Sequence, residues 1–567
     1  MHTALLPRTP FRAILPLALL APVAAQTALV ETGDTIPGVG VVTRIDDVAV
    51  NSSGEWIVEV DTDNASSGMD AAILENGVLK FQEGTGLGLA LVPGASLNWG
   101  DRMAINDLGQ TMYLLNVNLS SGTSEAVVLW NDIPVLQGDL TPFNAPGAPA
   151  GAVWDSIQET WFNVSDQLLV GGRLSTGEDV LAKLTLDATG SIVTEEILAI
   201  DGTTLPGHNA PIQGFSFSRR RQAINASGEV LWFVDDEQTT PGGAANTCCD
   251  SWIYRDSSPL LHESDPVNPP AANVVGTLSS VEVDLNDAGD WVAQMAQNPN
   301  TFTEDILLKN GTEVIAEEGL SLPSIPAPYV LTTMGSTPGV FLSNAGDVVW
   351  HGKWDDPDSS RDAGIFVNQD LLLQKGVSRI HGALIVGMPA SDQTMEVSRS
   401  GEFLIIELEL ETGQSGAYLI DAEATIGTRY CDPAVANSTG LPAELNGFGS
   451  PVVSIGSVTL SATDLPNAAF GFFLASRQQG FITNPGGSEG NLCLGGAIGR
   501  YVGPGQIQNS GPSGSFALDL DLTQVPQPNG AVAVQAGETW NFQAWYRDAV
   551  GGTATSNFTN GVEIAFL

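Results

Sequence analysis

Residues 46–60 read DDVAVNSSGEWIVEV: an alternating apolar strand, a polar turn whose fourth residue is Gly54, and a second apolar strand. Asparagine at the first turn position can cap its own turn, and glycine at the fourth tolerates the left-handed backbone of a tight hairpin. The pattern returns six times, with the fourth turn position at Gly109, Asp166, Gly228, Gly289, Gly346 and Gly401. The steps of 55, 57, 62, 61, 57 and 55 residues indicate a tandem array of one supersecondary unit.

Each unit predicts four short antiparallel strands. The first two flank the turn, and the last two form a hairpin that is clearest in AILENGVLKF (72–81) and ILLKNGTEVI (306–315), where Asn-Gly is a strong turn signal. Four antiparallel strands of about six residues are typical of a propeller blade. We therefore predict an all-β protein: a seven-bladed β-propeller followed by a C-terminal β-sandwich.

The ends of the array predict how the propeller closes. The seventh unit reaches its third strand at residues 417–421 and then stops, whereas ALVETGDTIPG (28–38) resembles the fourth-strand segment VLQGDLTPFNAPG (135–147). We expect residues 28–32 to complete the last blade, so that the propeller of residues 26–427 leaves no bare edge strand.

The first 25 residues have the composition of a secretory signal peptide. Arg8 and Arg12 precede the apolar run AILPLALLAPVAA, which ends at Ala25. We expect cleavage after Ala25 and export of the protein, either secreted or associated with the cell envelope. The later sequence has no apolar run of about eighteen residues, so we expect no transmembrane helix.

The chain is strongly acidic, with a formal net charge of −44 at pH 7. Such a surface repels nucleic acid and anionic lipid. The partners that fit an exported acidic protein are an extracellular glycan or another protein, and we expect a monomer.

Four cysteines in an exported chain favour oxidation. Cys431 and Cys493 both lie in the C-terminal segment and are expected to pair. Cys248 and Cys249 are adjacent, and they either form a vicinal disulfide, stay as free thiols or ligate a metal; no CxxC spacing supports zinc.

The repeat resembles a tandem-repeat family of secreted bacterial proteins with the consensus NxxGxVxFxA, then an acid followed by GIFL. NASGEVLWF (225–233), NAGDVVWHG (344–352) and DAGIFV (362–367) carry the likeness, which covers residues 28–427. The resemblance implies a fold and a surface or extracellular role, and it transfers no catalytic residue. Asp166, Ser343 and Ser398 depart from the consensus.

The repeats cease after Ile426, and residues 428–567 alternate apolar and polar residues as half-buried strands do. This segment resembles the C-terminal domain shared by many exported proteins of planctomycete bacteria. YC at 430–431, GSEGNLCLGGAIGRY at 487–501 and ETWNFQAWYRD at 538–548 carry the likeness. Because that domain follows diverse N-terminal partners, the resemblance implies a common service such as retention at the envelope or handling during export.

Two groups of residues are candidates for ligand binding. The acidic loop WDDPDSSRD (354–362) places Asp355, Asp356 and Asp358 close in sequence, as a calcium site would, although it does not match the DxDxDG spacing. Arg102 and Arg221 each lie four residues before a turn asparagine, and Arg219 belongs to the same basic run. The first strand of a propeller blade lines the central channel, so these three arginines are candidates for binding an anionic group; the alternative is a set of salt-bridged strand pairs.

No motif of a known catalytic machinery is present, and we expect no cofactor apart from calcium at the acidic loop. The histidines are solitary, and no nucleophile, phosphate-loop or dinucleotide motif appears. We therefore predict a non-catalytic binding or display protein. The alternatives are a hydrolase or lyase of extracellular polysaccharide, with acids assembled at the propeller centre, and an architectural component of a surface layer.

Overall fold

The computed structural model describes most of the chain from Ala25 to Phe566. The described residues are 25–87, 94–208, 211–212, 217, 221–235, 251–263, 265–266, 275, 281–296, 305–326, 328–335, 339–380, 383–389, 391, 393–421, 425–449, 451, 453, 458–511 and 514–566. Residues 1–24 of the predicted signal peptide, Arg219, Cys248 and Cys249 lie outside them.

The predicted all-β class is confirmed: apart from one 3₁₀ turn at Pro485–Gly487, the regular elements of the described residues are strands. Up to Asp421 these strands form antiparallel sheets of four to six strands in a β-propeller-like arrangement. No helix in the described ranges is long and apolar enough to cross a membrane.

We number the sheets in chain order. Sheet 1 contains Thr35–Ile36, Gly40–Val50, Trp56–Thr62, Ala71–Glu75 and Val78–Gln82; sheet 2 contains Ser96–Ile105, Thr111–Asn118, Ser124–Trp130 and Ile133–Gln137; sheet 3 contains Trp154–Phe162, Gln167–Leu174, Asp179–Leu186 and Ile192–Ile200. Sheet 4 contains Gln222–Ile224, Val230–Asp235, Ser251–Arg255 and Ser258–His262; sheet 5 contains Glu282–Leu285, Trp291–Ala296, Asp305–Lys309 and Glu313–Glu317. Sheet 6 contains Leu331–Met334, Val340–Leu342, Val348–Trp354, Ala363–Val367 and Asp370–Gln374.

Sheet 7 combines the end of the repeat array with the first described strand. Its strands are Arg379–Ile380, Ala383–Gly387, Met395–Val397, Phe403–Leu410, Ser415–Asp421 and Ala25–Glu31. Ala25–Glu31 pairs antiparallel with Ser415–Asp421, with Gln26 opposite Ile420 and Glu31 opposite Gly416. The Tyr418 hydroxyl donates to Glu31 Oε1 at 2.7 Å. The outer strand of this sheet therefore comes from the other end of the array.

Hydrophobic cores join neighbouring sheets in a cycle, because each strand presents alternate residues to the two sides of its sheet. Representative pairs that share a core are Ile57 and Leu115 for sheets 1 and 2, Leu114 and Leu168 for sheets 2 and 3, Leu169 and Trp232 for sheets 3 and 4, Phe233 and Leu285 for sheets 4 and 5, Leu307 and Trp350 for sheets 5 and 6, Ile365 and Ile406 for sheets 6 and 7, and Ile405 and Val58 for sheets 7 and 1. The last of these cores packs sheet 7 against sheet 1.

The C-terminal segment contains two further sheets that share one core. Sheet 8 contains Thr425–Ile426, Glu444–Gly449, Val458–Thr463 and Phe516–Asp519; sheet 9 contains Thr428–Tyr430, Phe470–Ser476, Gly499–Arg500, Gln508–Asn509, Thr539–Val550 and Thr553–Ala565. Two hairpins accompany them, Gln478–Thr483 with Asn491–Gly495 and Val525–Gln527 with Gly530–Val532. Leu445 and Leu460 of sheet 8 pack in the same core as Phe473 and Trp540 of sheet 9, as the two inner faces of a sandwich do. Thr425–Ile426 already belongs to this segment, although it precedes the predicted boundary at residue 428.

The predicted Cys431–Cys493 disulfide is confirmed. Its Cα atoms are 6.4 Å apart and close a separation of 62 residues. Cys493 is buried under the edge of sheet 9, where its backbone N–H donates to Gln543 Oε1 at 2.9 Å. The bond therefore ties Cys431, which directly follows the strand Thr428–Tyr430, to the Asn491–Gly495 hairpin strand.

Candidate functional site

The turn asparagines bind both their own turn and the next sheet. In sheet 5, Asn286 Oδ1 accepts the backbone N–H groups of Ala288 and Asp290 at 3.1 and 2.8 Å, as the predicted turn cap requires. Its Nδ2 donates to the backbone oxygen of Ser343, 3.0 Å away in sheet 6. Asn286 is fully buried, so both the oxygen and the nitrogen of its side-chain amide form their hydrogen bonds inside the protein.

The same intersheet bond recurs around the array. It joins Asn51 Nδ2 to Asn106 O at 3.0 Å, Asn106 Nδ2 to Asn163 O at 3.2 Å, Asn163 Nδ2 to Asn225 O at 2.7 Å, and Asn225 Nδ2 to Asn286 O at 3.1 Å. Sequence reasoning explained the acceptor half of each amide and missed the donor half. The signal was available, because a buried amide also has two donor hydrogens that need acceptors. In the four turns that begin at Asn51, Asn106, Asn163 and Asn225, Nδ2 also donates to the side chain four residues later in the same turn. The second hydrogen is left for the next sheet.

Ser343 and Ser398 end this series, because a serine hydroxyl caps the turn without reaching the next sheet. Ser343 Oγ accepts the backbone N–H of Asp347 at 3.0 Å. Here Arg399 of sheet 7 makes the connection instead: its Nη1 donates to Asp284 Oδ1 and Leu285 O of sheet 5, at 3.0 and 3.2 Å. The carboxylate of Asp284 raises the pKa of Arg399 above its ordinary value. Sheets 5 and 7 are thereby joined across the turn end of sheet 6.

In each of these sheets, the strand that precedes the repeated turn lines one central cavity of about 120 Å³. One lining residue from each of sheets 1 to 7 is Val50, Arg102, Phe162, Gln222, Val283, Phe341 and Val397. Large apolar residues such as Phe341 and Trp161, which also pack in the cores between sheets, contribute to its lining. Its polar lining is concentrated at Arg102 and at the turn end, where Asp107, Asp287 and Arg399 lie.

Arg102, one of the arginines predicted to bind an anion, lies in the wall of this cavity. Arg102 is 7% exposed, and its Nε lies 3.8 Å from Glu159 Oε1 in sheet 3. Nε and Nη1 have no hydrogen-bond partner within the described ranges. A buried guanidinium with unused donors at a cavity wall can receive an anionic group, so its role as a ligand-binding residue stays a prediction.

Arg221, the second predicted arginine that the structure describes, contacts an aromatic ring. Arg221 places its guanidinium 5.3 Å from the ring centroid of Phe233, its neighbour on the adjoining strand, which is the distance of a cation–π contact. Arg219 lies outside the described residues. Of the predicted arginines that the structure describes, Arg102 lines the cavity and Arg221 is not in its lining.

The acids at the turn end of the cavity accept structural hydrogen bonds. Asp107 Oδ1 accepts the backbone N–H of Ser52 at 2.8 Å, and Asp287 accepts Ala226 N–H at 2.7 Å and Asn344 Nδ2 at 2.7 Å. Asp284 accepts both Arg399 and, through Oδ2, the backbone N–H of Leu342 at 2.8 Å. Each of these bonds connects two different sheets, so these carboxylates stabilise the packing of the repeated turns against one another.

The predicted calcium loop is also held by bonds within the protein. Asp355 Oδ1 accepts Val330 N–H at 2.8 Å, Asp356 pairs with Arg361 Nε at 3.0 Å, and Asp358 Oδ1 accepts Ser360 N–H at 3.1 Å. No group of three or more histidine, cysteine, aspartate or glutamate side chains among the described residues is placed to hold a metal ion. Calcium binding by Asp355, Asp356 and Asp358 stays a prediction.

A buried acid pair in sheet 1 was not foreseen from the sequence. Asp47 and Glu59 are cross-strand neighbours, 2% and 5% exposed, and Glu59 Oε1 accepts Gly100 N–H of sheet 2 at 3.0 Å. Burial raises the pKa of Glu59 to about 8, and the charge of Asp47 adds to the shift. The two acids lie 12 residues apart in the chain, and only the register of the hairpin reveals that they face each other.

This acid predicts a pH-dependent stability. The folded protein keeps the Glu59 proton up to a pKa of about 8, whereas the unfolded chain releases it near 4.5, so stability falls as pH rises through that interval. Glu59→Gln should therefore be more stable than the wild type at about pH 9 and much closer to it at about pH 5, because only the wild type must ionise a buried carboxyl group in this interval. Guanidinium unfolding at both pH values measures this. Glu313→Gln, an exposed site, is the control; an equal effect of both variants would contradict the assignment.

Comparison with known proteins shows only distant likeness. No family model and no curated protein matches the chain. Among solved structures, PorZ, an essential bacterial surface component of the type-IX secretion system of Porphyromonas gingivalis, aligns over 91% of this chain and 51% of its own, with 10% identity and a TM-score of 0.24. This chain thus spans about half the length of PorZ.

Two further solved structures are similar at the same level. A subtype N11 neuraminidase-like protein of A/flat-faced bat/Peru/033/2010 aligns over 62% of this chain and 94% of its own, with 9% identity and a TM-score of 0.20. An engineered GH43 glycoside hydrolase with endo-xylanase and exo-arabinofuranosidase activity aligns over 83% and 96%, with 9% identity and a TM-score of 0.19. At these TM-scores the alignments assign no residue of this chain a role.

Proposed function

We propose that this chain is a secreted or cell-envelope binding and display protein without catalytic activity, built on a closed seven-bladed propeller. The cycle of cores from sheet 1 to sheet 7 and back to sheet 1 supports the ring. The regular frame of buried turns leaves the loops between strands to vary, and such loops on a rigid scaffold are the usual binding elements. An extracellular glycan or protein is the partner that we propose for them.

The observation that carries this proposal is the use of three of the acids that line the central cavity; a fourth acid, Glu396, also lines it. A glycoside hydrolase needs one carboxyl group that donates a proton and a second that acts as base or nucleophile. Asp107, Asp284 and Asp287 instead accept hydrogen bonds that join neighbouring sheets. The cavity of about 120 Å³ is also smaller than the 300–1,000 Å³ that is roughly typical of ligand clefts. Both facts favour binding at the loops over hydrolysis at the centre.

The extracellular location has independent support. The Cys431–Cys493 disulfide persists in oxidising compartments and is rare in the cytosol. The charge of −44 keeps a protein dispersed in a salty exterior, where counter-ions screen repulsion beyond about 8 Å. Together with the signal peptide predicted for residues 1–25, these features support secretion or attachment to the envelope as our proposal.

A glycan array tests the proposal, with residues 26–567 as the labelled protein. We expect retention on a defined subset of extracellular polysaccharides, without release of reducing or unsaturated ends from the same polymers during prolonged incubation. Time-dependent release of such ends from a bound polymer would establish the hydrolase or lyase alternative. Absence of binding both to the array and to a panel of envelope proteins would contradict the binding function altogether.

A further inference from the structure

A second cavity, of about 360 Å³, lies between sheets 6 and 7. Its wall from sheet 6 includes Thr333, His351 and Lys353, and Lys375 lies directly after the last strand of that sheet; Gly387 and Met388 belong to the opposite wall, from sheet 7. The volume falls within the range of small-molecule pockets. Its lining is unusual for this chain because it concentrates basic side chains.

Lysine is scarce in this protein, so two lysines in the lining of one cavity are an unusual concentration of positive charge. The sequence has five lysines. Three of them form ion pairs or hydrogen bonds in other parts of the protein: Lys80, Lys183 and Lys309. Lys80 pairs with Glu75 and Asp132 at 3.1 and 2.8 Å, Lys183 pairs with Glu196 at 3.1 Å, and Lys309 donates to Gly346 O at 2.5 Å. The remaining two, Lys353 and Lys375, share one cavity.

In sheet 1, the two positions that correspond to these lysines hold acids. Lys375 N–H donates to Ala363 O at 3.0 Å, in the backbone position where Glu83 of sheet 1 donates to Ala71 O at 2.9 Å. Lys353 is the cross-strand partner of Ala363, as Asp61 is of Ala71. A corner that is acidic in sheet 1 is therefore basic in sheet 6. Since the two corners have the same backbone hydrogen bonds, the fold of the sheet does not require lysine in place of an acid at these positions.

The two lysines of this corner differ in how far their charges are neutralised. Lys375 donates to Ser359 O at 2.7 Å and has Asp362 at 3.6 Å, so its charge is partly neutralised. Lys353 is exposed and has no ion pair with any described residue. An acid, Glu409, lies beside the opposite wall of the cavity. Its carboxylate is close to Gly387: Oε2 would be 2.8 Å from a Cβ atom if residue 387 carried one. In a chain of net charge −44, an unneutralised ammonium at a cavity is a specific attraction for an anion.

We propose that the cavity between sheets 6 and 7 binds a small ligand that carries an oxyanion, either a carboxylate, a sulfate or a phosphate, such as the charged unit of an acidic sugar. Lys353 and Lys375 bind the anionic group. Thr333 and His351 add polar side chains to the lining, and Met334 and Met388 add apolar ones. This assignment rests on the proposed binding function and names a place and a ligand class for it.

The test uses residues 26–567 and defined probes: glucuronate, glucose 6-sulfate and glucose 6-phosphate, with glucose as the neutral control. Isothermal titration at about 0.15 M salt should show binding of at least one anionic probe and none of glucose. Lys353→Gln should weaken that binding about tenfold, whereas Lys183→Gln, a lysine of sheet 3 paired with Glu196, should leave it unchanged. Glu409→Gln should strengthen binding, because it removes the nearby negative charge.

Several results would overturn the assignment. Equal affinity for glucose and the anions, no binding of any anionic probe, or an unchanged affinity of Lys353→Gln would each do so. The relative affinities for the three anions distinguish carboxylate, sulfate and phosphate as the natural group. If Lys353→Gln still binds its targets on the glycan array, the proposed function survives and this site does not. If the wild type binds neither the array nor the panel of envelope proteins, the proposed function itself fails.

Discussion

Replacing Val30 with aspartate is expected to lower the free energy of unfolding of the propeller by about 5 kcal/mol, the largest effect of any single change considered for this chain. Val30 belongs to the strand Ala25–Glu31, which is the outer strand of sheet 7. It is 4% exposed and lies in the core that sheet 7 shares with sheet 1. The variant therefore places a charge in the interface between the last sheet and the first.

Two terms add to give this value. Removing the isopropyl group forfeits roughly 1.5–3 kcal/mol of apolar burial, and a carboxylate without a partner costs several kcal/mol more in an apolar core. The neighbouring side chains Ile405 and Ala417 are apolar and offer the carboxylate no donor. If the strand detaches to escape the penalty, the backbone pairing with Ser415–Asp421 is lost as well, so both responses lower stability.

The matched control is Thr27→Asp in the same strand. Thr27 is exposed, so the same carboxylate there should change stability by less than about 0.5 kcal/mol. Ten of the twelve tryptophans precede residue 422, so the fluorescence of residues 26–567 during guanidinium unfolding reports mainly on the propeller. Equal midpoints for Val30→Asp and Thr27→Asp would show that the first strand does not stabilise the propeller.

The sequence predicts the repeated part of this fold well, because each repeated residue has a local reason to be there. Asn310 and Gly311, for example, take left-handed backbone angles, with φ of 51° and 70°, as the Asn-Gly hairpin signal predicts. The all-β class and the Cys431–Cys493 bond follow from similarly local evidence: alternation in one case, and two cysteines in one segment in the other.

The candidate sites were less predictable, because they depend on contacts between units. The pairing of Asp47 with Glu59 requires the register of a bulged hairpin, and the cavity that contains Lys353 requires sheet 7 to pack against sheet 6. Arg399 bonds to Asp284, which precedes it by 115 residues. Alternation specifies which face of a strand is buried, and it does not specify which side chain of the next sheet lies opposite.

Replacing Asn286 with alanine is expected to cost about 3 kcal/mol of propeller stability. The change leaves the carbonyl of Ser343 and the N–H groups of Ala288 and Asp290 without the partners that the amide supplies. A buried backbone group without a hydrogen bond costs roughly 1–3 kcal/mol, and water can reach the turn at Ala288, which is exposed. Guanidinium unfolding followed by tryptophan fluorescence measures the loss.

Asn286→Ser separates the two roles of the amide, because sheet 6 already shows what serine does at this position. Ser343 Oγ accepts the N–H of Asp347 at 3.0 Å and makes no side-chain bond to the next sheet. Serine at 286 should therefore keep part of the turn cap, lose the bond to Ser343, and cost about half as much as alanine. Asn286→Asp keeps the acceptor but sets a carboxylate against the Ser343 carbonyl, so it should cost at least as much as alanine. If serine and asparagine were equally stable, the intersheet bond would contribute nothing, and the series from Asn51 to Asn286 would be a set of independent turn caps.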